Sequence, residues 1–230
     1  MQRIAIFDLD GTLLAGRVWP AFIKHHFSQK VHRHEAGAYL VRNVARYLLY
    51  KGGLVSRSVV WEVFGKEIIT MLRGMDDARA TPILETIYHK EISKQLDPML
   101  LERWESLGKQ GFSRFIISGS PDPLLKIIGK HLEATAAFGT LPEKRAGRYT
   151  GQIVGSLCSD QEKARRLTEY LAQQSWDIDW AASYSFADSF SDLPILQLVG
   201  NPTAVRPDSE LYAYAQAATW PILGEPDNKI

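Results

Sequence analysis

The chain has 230 residues and a formal net charge of +1 at pH 7, and its 45% apolar and 23% charged residues are ordinary for a soluble globular protein with a full core. The single cysteine, Cys158, excludes an internal disulfide and a cysteine-ligated zinc site, and it fits a reducing cytosol. The sequence contains no long uncharged apolar run and no basic-then-apolar signal pattern, so we expect a cytoplasmic protein without a membrane span.

The charge is unevenly distributed along the chain. Residues 15–95 contain 13 Lys and Arg against 7 Asp and Glu, a balance of +6, so the remaining residues carry a balance of −5. Such an asymmetry indicates two bodies, one basic and one acidic.

The first predicted element is a short buried strand that ends in two acids. Residues 4–7 are apolar, and Asp8 and Asp10 follow them. In open parallel sheets the carboxyl ends of the strands are where ligands bind, so we expect both acids at a site. Two carboxylates this close repel each other unless a positive charge lies between them or one keeps its proton. The alternative is that Asp10 and Gly11 form only a hairpin turn.

Residues 15–95 have the periodicity of helices and no convincing strand. Apolar spacings of three and four predict helices over 18–27, 37–50 and 56–71, the last with Ser56 as its cap, and a fourth helix that starts at Thr81-Pro82 and runs to about residue 96. We expect the histidines here to be solvated helix residues rather than zinc ligands, and the aromatic residues to pack between helices. These residues are His25, His26, His32 and His34, and Tyr39, Tyr47, Tyr50, Trp61 and Phe64.

Strand and helix patterns alternate in the rest of the chain. Strands are predicted over 112–117, 136–140, 182–186 and 202–205, and helices over 97–109, 123–132, 161–174, 191–198 and 208–218. This alternation predicts a parallel sheet covered by helices on both faces. The expected fold is therefore α/β: a Rossmann-like core of residues 1–14 and 96–230, with an all-helical cap of residues 15–95 inserted into it.

Polar residues also follow two of the later strands. Ser118 follows the strand over 112–117, and Asp188 and Asp192 follow the strand over 182–186. Because parallel strands end on the same edge of their sheet, we expect these groups to share one pocket with Asp8 and Asp10. Lys163, at the start of the preceding helix, can add an ammonium group.

These residues, in this order, resemble the four motifs of the haloacid dehalogenase-type superfamily of phosphatases. The motifs read Asp8-Leu9-Asp10-Gly11-Thr12, Ile116-Ile117-Ser118, Lys163, and Asp188-Ser189-Phe190-Ser191-Asp192. The resemblance runs from residue 4 to about residue 206, and its first and fourth motifs together are specific. A helical segment between the first and second motifs is similar to the cap of the phosphoserine-phosphatase-like branch.

The resemblance implies a mechanism. Asp8 would attack phosphorus and form an aspartyl-phosphate, and Asp10 would act as general acid and then as general base. A Mg²⁺ ion would be held by Asp8, the carbonyl of Asp10, Asp188 and Asp192, the last directly or through water. Ser118 and Lys163 would bind phosphate oxygens, and Lys163 would also keep Asp8 ionised.

Several of these assignments have alternatives. Ser118 and Asp192 can simply cap helices. The role given to Lys163 can belong to a neighbouring base instead. The candidates are Lys144, Arg145, Arg165 and Arg166.

One departure from the family pattern bears on the substrate. In phosphoserine phosphatases a glutamate nine residues after the nucleophile binds the substrate's amino group, and here that position is Arg17. A guanidinium repels an ammonium and attracts a carboxylate or a second phosphate, so we expect a small phosphorylated substrate that carries an extra anionic group or no amine. The alternative is that Arg17 faces solvent or pairs with a cap acid.

Two other functions remain open from the sequence. A phosphotransferase or phosphomutase would use the same aspartyl-phosphate but pass the phosphoryl group to another alcohol. A non-catalytic module would bind nucleic acid or an anionic membrane surface through Lys24, Lys30, Arg33, Arg42 and Arg46. The complete set of acids favours an enzyme, and we expect no nucleic-acid partner. The sequence motifs identify neither the physiological substrate nor the oligomeric state.

Overall fold

The computed structural model describes residues 1–55 and 57–226, without the side chains of residues 57–59, 61 and 62. Its strands are β1 (Ile4–Phe7), β2 (Ser113–Pro121), β3 (Ala136–Thr140), β4 (Pro142–Arg145), β5 (Arg148–Ile153), β6 (Tyr184–Ala187), β7 (Asn201–Val205) and β8 (Ile222–Leu223). Its α-helices are α1 (Val18–Ser28), α2 (Arg33–Lys51), α3 (Arg57–Glu67), α4 (Asp77–Ile87), α5 (Pro98–Lys109), α6 (Asp122–His131), α7 (Gln161–Gln173), α8 (Leu193–Leu196) and α9 (Ser209–Ala217).

Six strands form one parallel sheet in the order β3-β2-β1-β6-β7-β8. The strands β4 and β5 pair with each other as a separate antiparallel hairpin. The strand β1 is central in the sheet and wholly buried, as its continuous apolar run predicts. The predicted α/β class, with a Rossmann-like parallel sheet and flanking helices, is confirmed.

Alternate residues of β1 enter different apolar cores on the two faces of the sheet. Ala5 and Phe7 belong to one core, and Ile4 and Ile6 belong to the other. The Phe7 ring stacks on Phe186 with 4.4 Å between the ring centroids. Burying an apolar side chain of this size contributes about 1.5–3 kcal/mol, so the strand that precedes the two acids is firmly anchored.

The segment between β1 and β2 is helical and contains no strand among the residues described. Its two ends lie side by side, since Leu14 forms an antiparallel bridge with Leu96, and the Ala15 N–H donates to the Gln95 carbonyl at 2.9 Å. Adjacent ends are what an inserted segment requires. The boundaries at residues 15 and 95 stay a prediction. Within the described ranges, no helix is both long and apolar enough to cross a membrane.

Several predicted element boundaries are wrong. The helix α4 begins at Asp77 rather than at Thr81, because the Asp76 side chain caps it by accepting from the Arg79 N–H at 3.0 Å. Pro82 therefore lies inside this helix. The helix predicted over 56–71 is α3 followed by a 3₁₀ segment, Ile68–Leu72, and its expected cap, Ser56, lies outside the described residues.

His25 and His26 are buried, so the prediction that they are solvated is wrong. The two ring nitrogens of His26 lie 2.8 Å and 3.2 Å from the carbonyl oxygens of Phe22 and Met71. Burial lowers the pKa of both histidines, which favours their neutral forms. The His26 ring therefore contacts backbone carbonyls inside the helical segment.

Candidate active site

The carboxyl ends of β1, β2 and β6 bring the predicted polar residues to one edge of the sheet. Phe7, the last residue of β1, is in register with Ile116 of β2 and Phe186 of β6. Asp8 follows directly, and its N–H donates to the Phe186 carbonyl at 2.9 Å. The nucleophile candidate therefore lies between β2 and the acidic loop after β6, as the strand order predicts.

A buried lysine joins two of the acids. Nζ of Lys163, in the first turn of α7, lies 2.6 Å from Oδ1 of Asp8 and 2.6 Å from Oδ1 of Asp192. Burial alone would lower the pKa of Lys163, but the charges of Asp192 and Asp8 raise it above its ordinary value. The amine is therefore charged at neutral pH and supplies the positive charge that the acids require.

The other bases near Lys163 in sequence have different partners. Lys144 pairs with Asp77, Arg145 with Glu143, and both Arg165 and Arg166 with Glu162. All of these bases lie in the described part of the chain, and among them it is Lys163 that contacts Asp8. The alternatives to Lys163 are therefore wrong as contacts of this acid.

Asp8, Asp188 and Asp192 form a cluster of buried carboxylates. Each offers one oxygen, and these oxygens lie within 4.8 Å of one another. Burial raises the pKa of all three acids, and the negative charges of their neighbours raise it further. A hard divalent cation between the oxygens would relieve this repulsion, and carboxylate oxygens are the ligands that Mg²⁺ prefers. The donor set therefore fits Mg²⁺.

Gly11 makes room for this cluster. Its φ of +89° lies in the left-handed region that favours glycine, and a Cβ at this position would lie 2.1 Å from Oδ2 of Asp188. Any larger residue would push the acidic loop away from Asp8. Gly11 therefore lies in a turn against the acidic cluster, and this turn is not that of a hairpin, because β1 pairs in parallel with both of its neighbours.

The side chain of Asp10 is held apart from the cluster by partners of its own. Oδ2 accepts hydrogen bonds from Ser120 Oγ at 2.6 Å and from Ser118 Oγ at 3.1 Å, and Oδ1 accepts from the Val18 N–H at 2.6 Å. Burial raises the pKa of Asp10, and the charge of Arg17 and the bond from Ser120 oppose that rise. The two acids of the first motif therefore have different environments, which is what different chemical roles require.

The alternative that Ser118 or Asp192 merely caps a helix is wrong. Ser118 donates to Asp10, and α6 begins further on without a side-chain cap. Asp192 precedes α8 but makes no capping hydrogen bond, and its side chain points to Lys163 instead.

Arg17 lies in the site, where its guanidinium contacts two groups at the sheet edge. Its Nη1 donates to the carbonyl of Asp10 at 3.0 Å, and its Nη2 donates to Oδ2 of Asp188 at 3.2 Å. The side chain is 39% exposed and lines the cavity described below. Arg17 can therefore meet a bound ligand.

Three residues that support the site are absent from the sequence-based set. Arg206 donates to the carbonyls of Gly11 and Thr12 at 3.0 and 2.8 Å, and these bonds fix the backbone of the first motif. Asp208 accepts from the Ser189 Oγ at 3.1 Å, and its N–H donates to the Asp188 carbonyl at 2.8 Å, which fixes the acidic loop. The third is Ser120, which an alternation argument would have found, because residues two apart in a strand face the same side.

A cavity of about 1040 Å³ opens over these groups. Residues of the segment between β1 and β2 line part of this cavity, among them Trp19, Tyr39, Phe64 and Lys66. The Phe64 ring of α3 meets the Tyr39 ring of α2 edge-on at 5.9 Å between centroids, so the predicted packing between helices is confirmed for these two residues. The side chain of Trp61 lies outside the described residues. The Tyr39 hydroxyl is buried and has no hydrogen-bond partner among the described residues.

A family profile described as haloacid dehalogenase-like hydrolase matches residues 5–197. The chain belongs to this family. The resemblance carried by the four motifs is thereby confirmed, and the chain is an enzyme of the haloacid dehalogenase-like hydrolases.

Curated relatives match over nearly the whole chain. A histidinol-phosphatase of Neisseria meningitidis is 27% identical over 228 residues, which cover 97% of this chain and 99% of the relative. The phosphoserine phosphatase SerB1 of Mycobacterium tuberculosis is 26% identical over 235 residues, which cover 96% of this chain and 70% of the relative.

Solved structures share the fold. A Bordetella pertussis protein of unknown function superposes with a TM-score of 0.81 at 24% identity, over 97% of this chain and 99% of the other. A substrate-bound phosphoserine phosphatase superposes with a TM-score of 0.65 at 14% identity, over 99% and 95% of the two chains. At these identities the likeness establishes the α/β architecture.

Proposed function

We propose that this chain is a Mg²⁺-dependent phosphatase that hydrolyses a small phosphomonoester through a phospho-Asp8 intermediate. The observation that carries the proposal is the contrast between two buried acids. Asp8 contacts Lys163 and faces two further carboxylates, whereas Asp10 is held by two serines. Phosphoryl transfer requires positive charge around the phosphoryl oxygens and a separate proton donor for the leaving group, and this contrast supports both.

In the first half-reaction Asp8 is the nucleophile. One of its carboxylate oxygens attacks phosphorus, and the bond between phosphorus and the leaving oxygen breaks as the new bond forms. Asp10 donates its proton to the leaving oxygen, so the alcohol departs neutral. The raised pKa of Asp10 favours the protonated form that this step consumes.

In the second half-reaction a water molecule attacks the phosphorus of phospho-Asp8. Asp10, now ionised, takes a proton from that water, the bond between phosphorus and the Asp8 oxygen breaks, and inorganic phosphate is released. Ser118 and Lys163 are the proposed partners of the phosphoryl oxygens, because both lie beside the two acids.

Asp8, Asp188, Asp192 and the carbonyl of Asp10 are the groups that would hold Mg²⁺. When bound, the ion supplies positive charge that offsets the negative charge of the phosphoryl oxygens. Arg17 donates to two of these groups, the Asp10 carbonyl and Asp188. The Arg17 guanidinium loses these two contacts when the cation binds. The side chain can then turn into the cavity, toward the substrate.

The segment of residues 15–95 is the proposed cap, with the core formed by residues 1–14 and 96–230. In support, helices of this segment contribute Tyr39 and Phe64 to the lining of the cavity that also contains the acids. The proposed substrate is therefore small enough for this cavity, and side chains of the cap contact its leaving group. A cytoplasmic location stays a prediction.

A panel of phosphate esters assayed with Mg²⁺ tests the proposal. The panel contains phosphoserine and histidinol phosphate, suggested by the names of the two relatives, together with phosphoglycolate and glycerol phosphate. We expect at least one ester to release inorganic phosphate in step with its alcohol. Release of the alcohol without free phosphate, and only when a second alcohol is present, would identify a phosphotransferase instead. No turnover of any ester would contradict the proposal.

A further inference from the structure

We propose that Glu85, His89 and His131 form a second cation site, separate from the acidic cluster, that binds a borderline divalent cation such as Zn²⁺. Two histidines and a carboxylate are ligands that zinc takes readily, with water completing the coordination. None of the three residues lines the active-site cavity. The proposal is therefore independent of the proposed phosphatase chemistry.

The three side chains converge on one point. Nε2 of His131 lies 2.8 Å from Oε2 of Glu85, and Nε2 of His89 lies 3.7 Å from the same oxygen. Tetrahedral zinc with bonds of about 2.0–2.1 Å separates its ligand atoms by about 3.3 Å. The observed distances lie on either side of that value, so small movements of partly exposed side chains are enough to complete the site.

The backbone that carries these ligands is firmly held. Glu85 is in α4, and His89 follows four residues later in a single π-helical turn, Tyr88–Ile92, so both project from the same side of one helical run. The buried residues Leu84 and Ile87 anchor this run in the core. The cost of ordering the ligands is therefore mainly that of their own side chains.

The third ligand is oriented by an aromatic ring. His131 is the last residue of α6, and its imidazole stacks on Tyr88 with 4.3 Å between centroids and 12° between the planes. Tyr88 is itself buried, so the stack limits the rotation of the His131 ring. The His89 ring lies 4.8 Å away at 78°, which aims the two imidazoles at a common point from different directions.

A cation at this position would join two parts of the chain. Glu85 and His89 belong to the segment between β1 and β2, whereas His131 belongs to the helix that follows β2. The bound ion would act as a structural clamp between α4 and α6, and it would stabilise the folded protein because the three ligands converge only after folding.

Calorimetric titration with Zn²⁺ in an excess of Mg²⁺ tests the site, because Mg²⁺ competes for the all-oxygen acidic cluster. The full-length protein is compared with His89→Ala, Glu85→Gln and the control His34→Ala, which removes an exposed histidine elsewhere in the same segment. His89 is 61% exposed, so its replacement leaves the fold intact. We expect one Zn²⁺ site in the wild type and in the control, and an affinity at least about tenfold weaker in the other two variants.

Two further readouts identify the ligands. The electron paramagnetic resonance spectrum of added Cu²⁺ should contain nitrogen couplings that decrease in His89→Ala and persist in His34→Ala. Zn²⁺ should also raise the melting temperature of the wild type by several degrees but not that of His89→Ala. Equal Zn²⁺ affinity in the wild type and in His89→Ala, or loss of binding in His34→Ala alone, would overturn the proposal.

Discussion

Asp8 and Asp10 are two residues apart in sequence and have different neighbours in space. Asp8 contacts the Lys163 ammonium and faces two other carboxylates, whereas Asp10 accepts hydrogen bonds from two serine hydroxyls and a backbone N–H. A nucleophile has to be ionised, and a general acid has to carry a proton. The Lys163 ammonium favours the ionised form of Asp8, whereas burial favours the protonated form of Asp10 and the hydrogen bonds to Asp10 oppose it. The predictions at this scale address individual residues.

Ser120→Ala should slow turnover by roughly 10- to 100-fold with little change in KM. The reason is that Ser120 makes the shorter of the two serine bonds to Asp10, at 2.6 Å, and a hydrogen bond to a charged group is worth about 1.5–3 kcal/mol. Steady-state kinetics on the best ester of the panel measure the effect, with the surface variant Ser106→Ala as control. An unchanged kcat would mean that Ser120 does not position the acid.

Arg17→Glu should shift substrate preference toward esters that carry an amine. The wild-type guanidinium lies between the Asp10 carbonyl and Asp188 at the edge of the cavity, where it repels an ammonium and attracts an anionic group. We expect the wild type to prefer phosphoglycolate or glycerol phosphate to phosphoserine in kcat/KM, and the variant to narrow or reverse that preference. A wild type that prefers phosphoserine would contradict this role of Arg17.

Cys158 should be unreactive in the folded protein. Burial raises the pKa of its thiol to about 11, so the nucleophilic thiolate is scarce at pH 8. Because the pKa of this thiol is higher in the folded protein than in the unfolded chain, the thiol favours folding below the ordinary cysteine pKa. That contribution to the free energy of unfolding is lost as the pH rises toward about 11. Labelling with a thiol-reactive disulfide at pH 8 should be slow in the native state and rapid in guanidinium chloride. Rapid labelling of the native protein would contradict the burial of Cys158.

At the scale of elements, the site is built from the end of β2, the loops that follow β1 and β6, and the start of α7. Apolar runs mark the strands and parallel strands end on one edge, which was sufficient to predict that the acids and Ser118 share that edge. Lys163 was identified through the resemblance to the family motif, with neighbouring bases left open. It was not sufficient for Arg206 and Asp208, whose contacts with the first motif and the acidic loop join residues nearly 200 and about 20 positions apart. Such contacts depend on how the strands are ordered in the sheet, which local patterns do not encode.

The boundaries of α4 illustrate the same limit. Thr81-Pro82 resembles a helix start, yet Asp76 provides a side-chain cap and the helix begins earlier. Burial of Ala80 and Leu84 on one face then holds the proline inside the helix. Here tertiary burial overrides a local signal.

The acidic loop after β6 should be essential for the use of Mg²⁺. Asp188→Ala removes one of three clustered carboxylates and should weaken Mg²⁺ binding, because the affinity of a site for a hard cation depends on the number of its oxygen ligands. Calorimetric titration with Mg²⁺ measures this loss directly, and Asp179→Ala, outside the cluster, is the matched control. EDTA should abolish wild-type activity and added Mg²⁺ should restore it. Full activity in EDTA would overturn the metal-dependent mechanism.

At the scale of the whole molecule, the basic excess of residues 15–95 is partly balanced within the segment. Arg42 and Arg46 both pair with Glu67, and Lys24 pairs with Glu91. These pairings reduce the positive charge available to an extended anionic partner, which favours a small anionic ligand over nucleic acid. The cavity between this segment and the sheet edge is where such a ligand would lie.

The central claim is that Asp8 carries the phosphoryl group during turnover. The most direct test is to quench the enzyme in acid while it turns over its best ester with Mg²⁺, digest it, and locate the added phosphoryl group by mass spectrometry. We expect a hydroxylamine-labile phosphoryl group on the peptide that contains Asp8. We also expect that Asp8→Asn, with an unchanged circular dichroism spectrum, carries no such group and loses several orders of magnitude in kcat. A phosphoryl group on any other residue, or substantial turnover by Asp8→Asn free of wild-type contamination, would contradict the central claim.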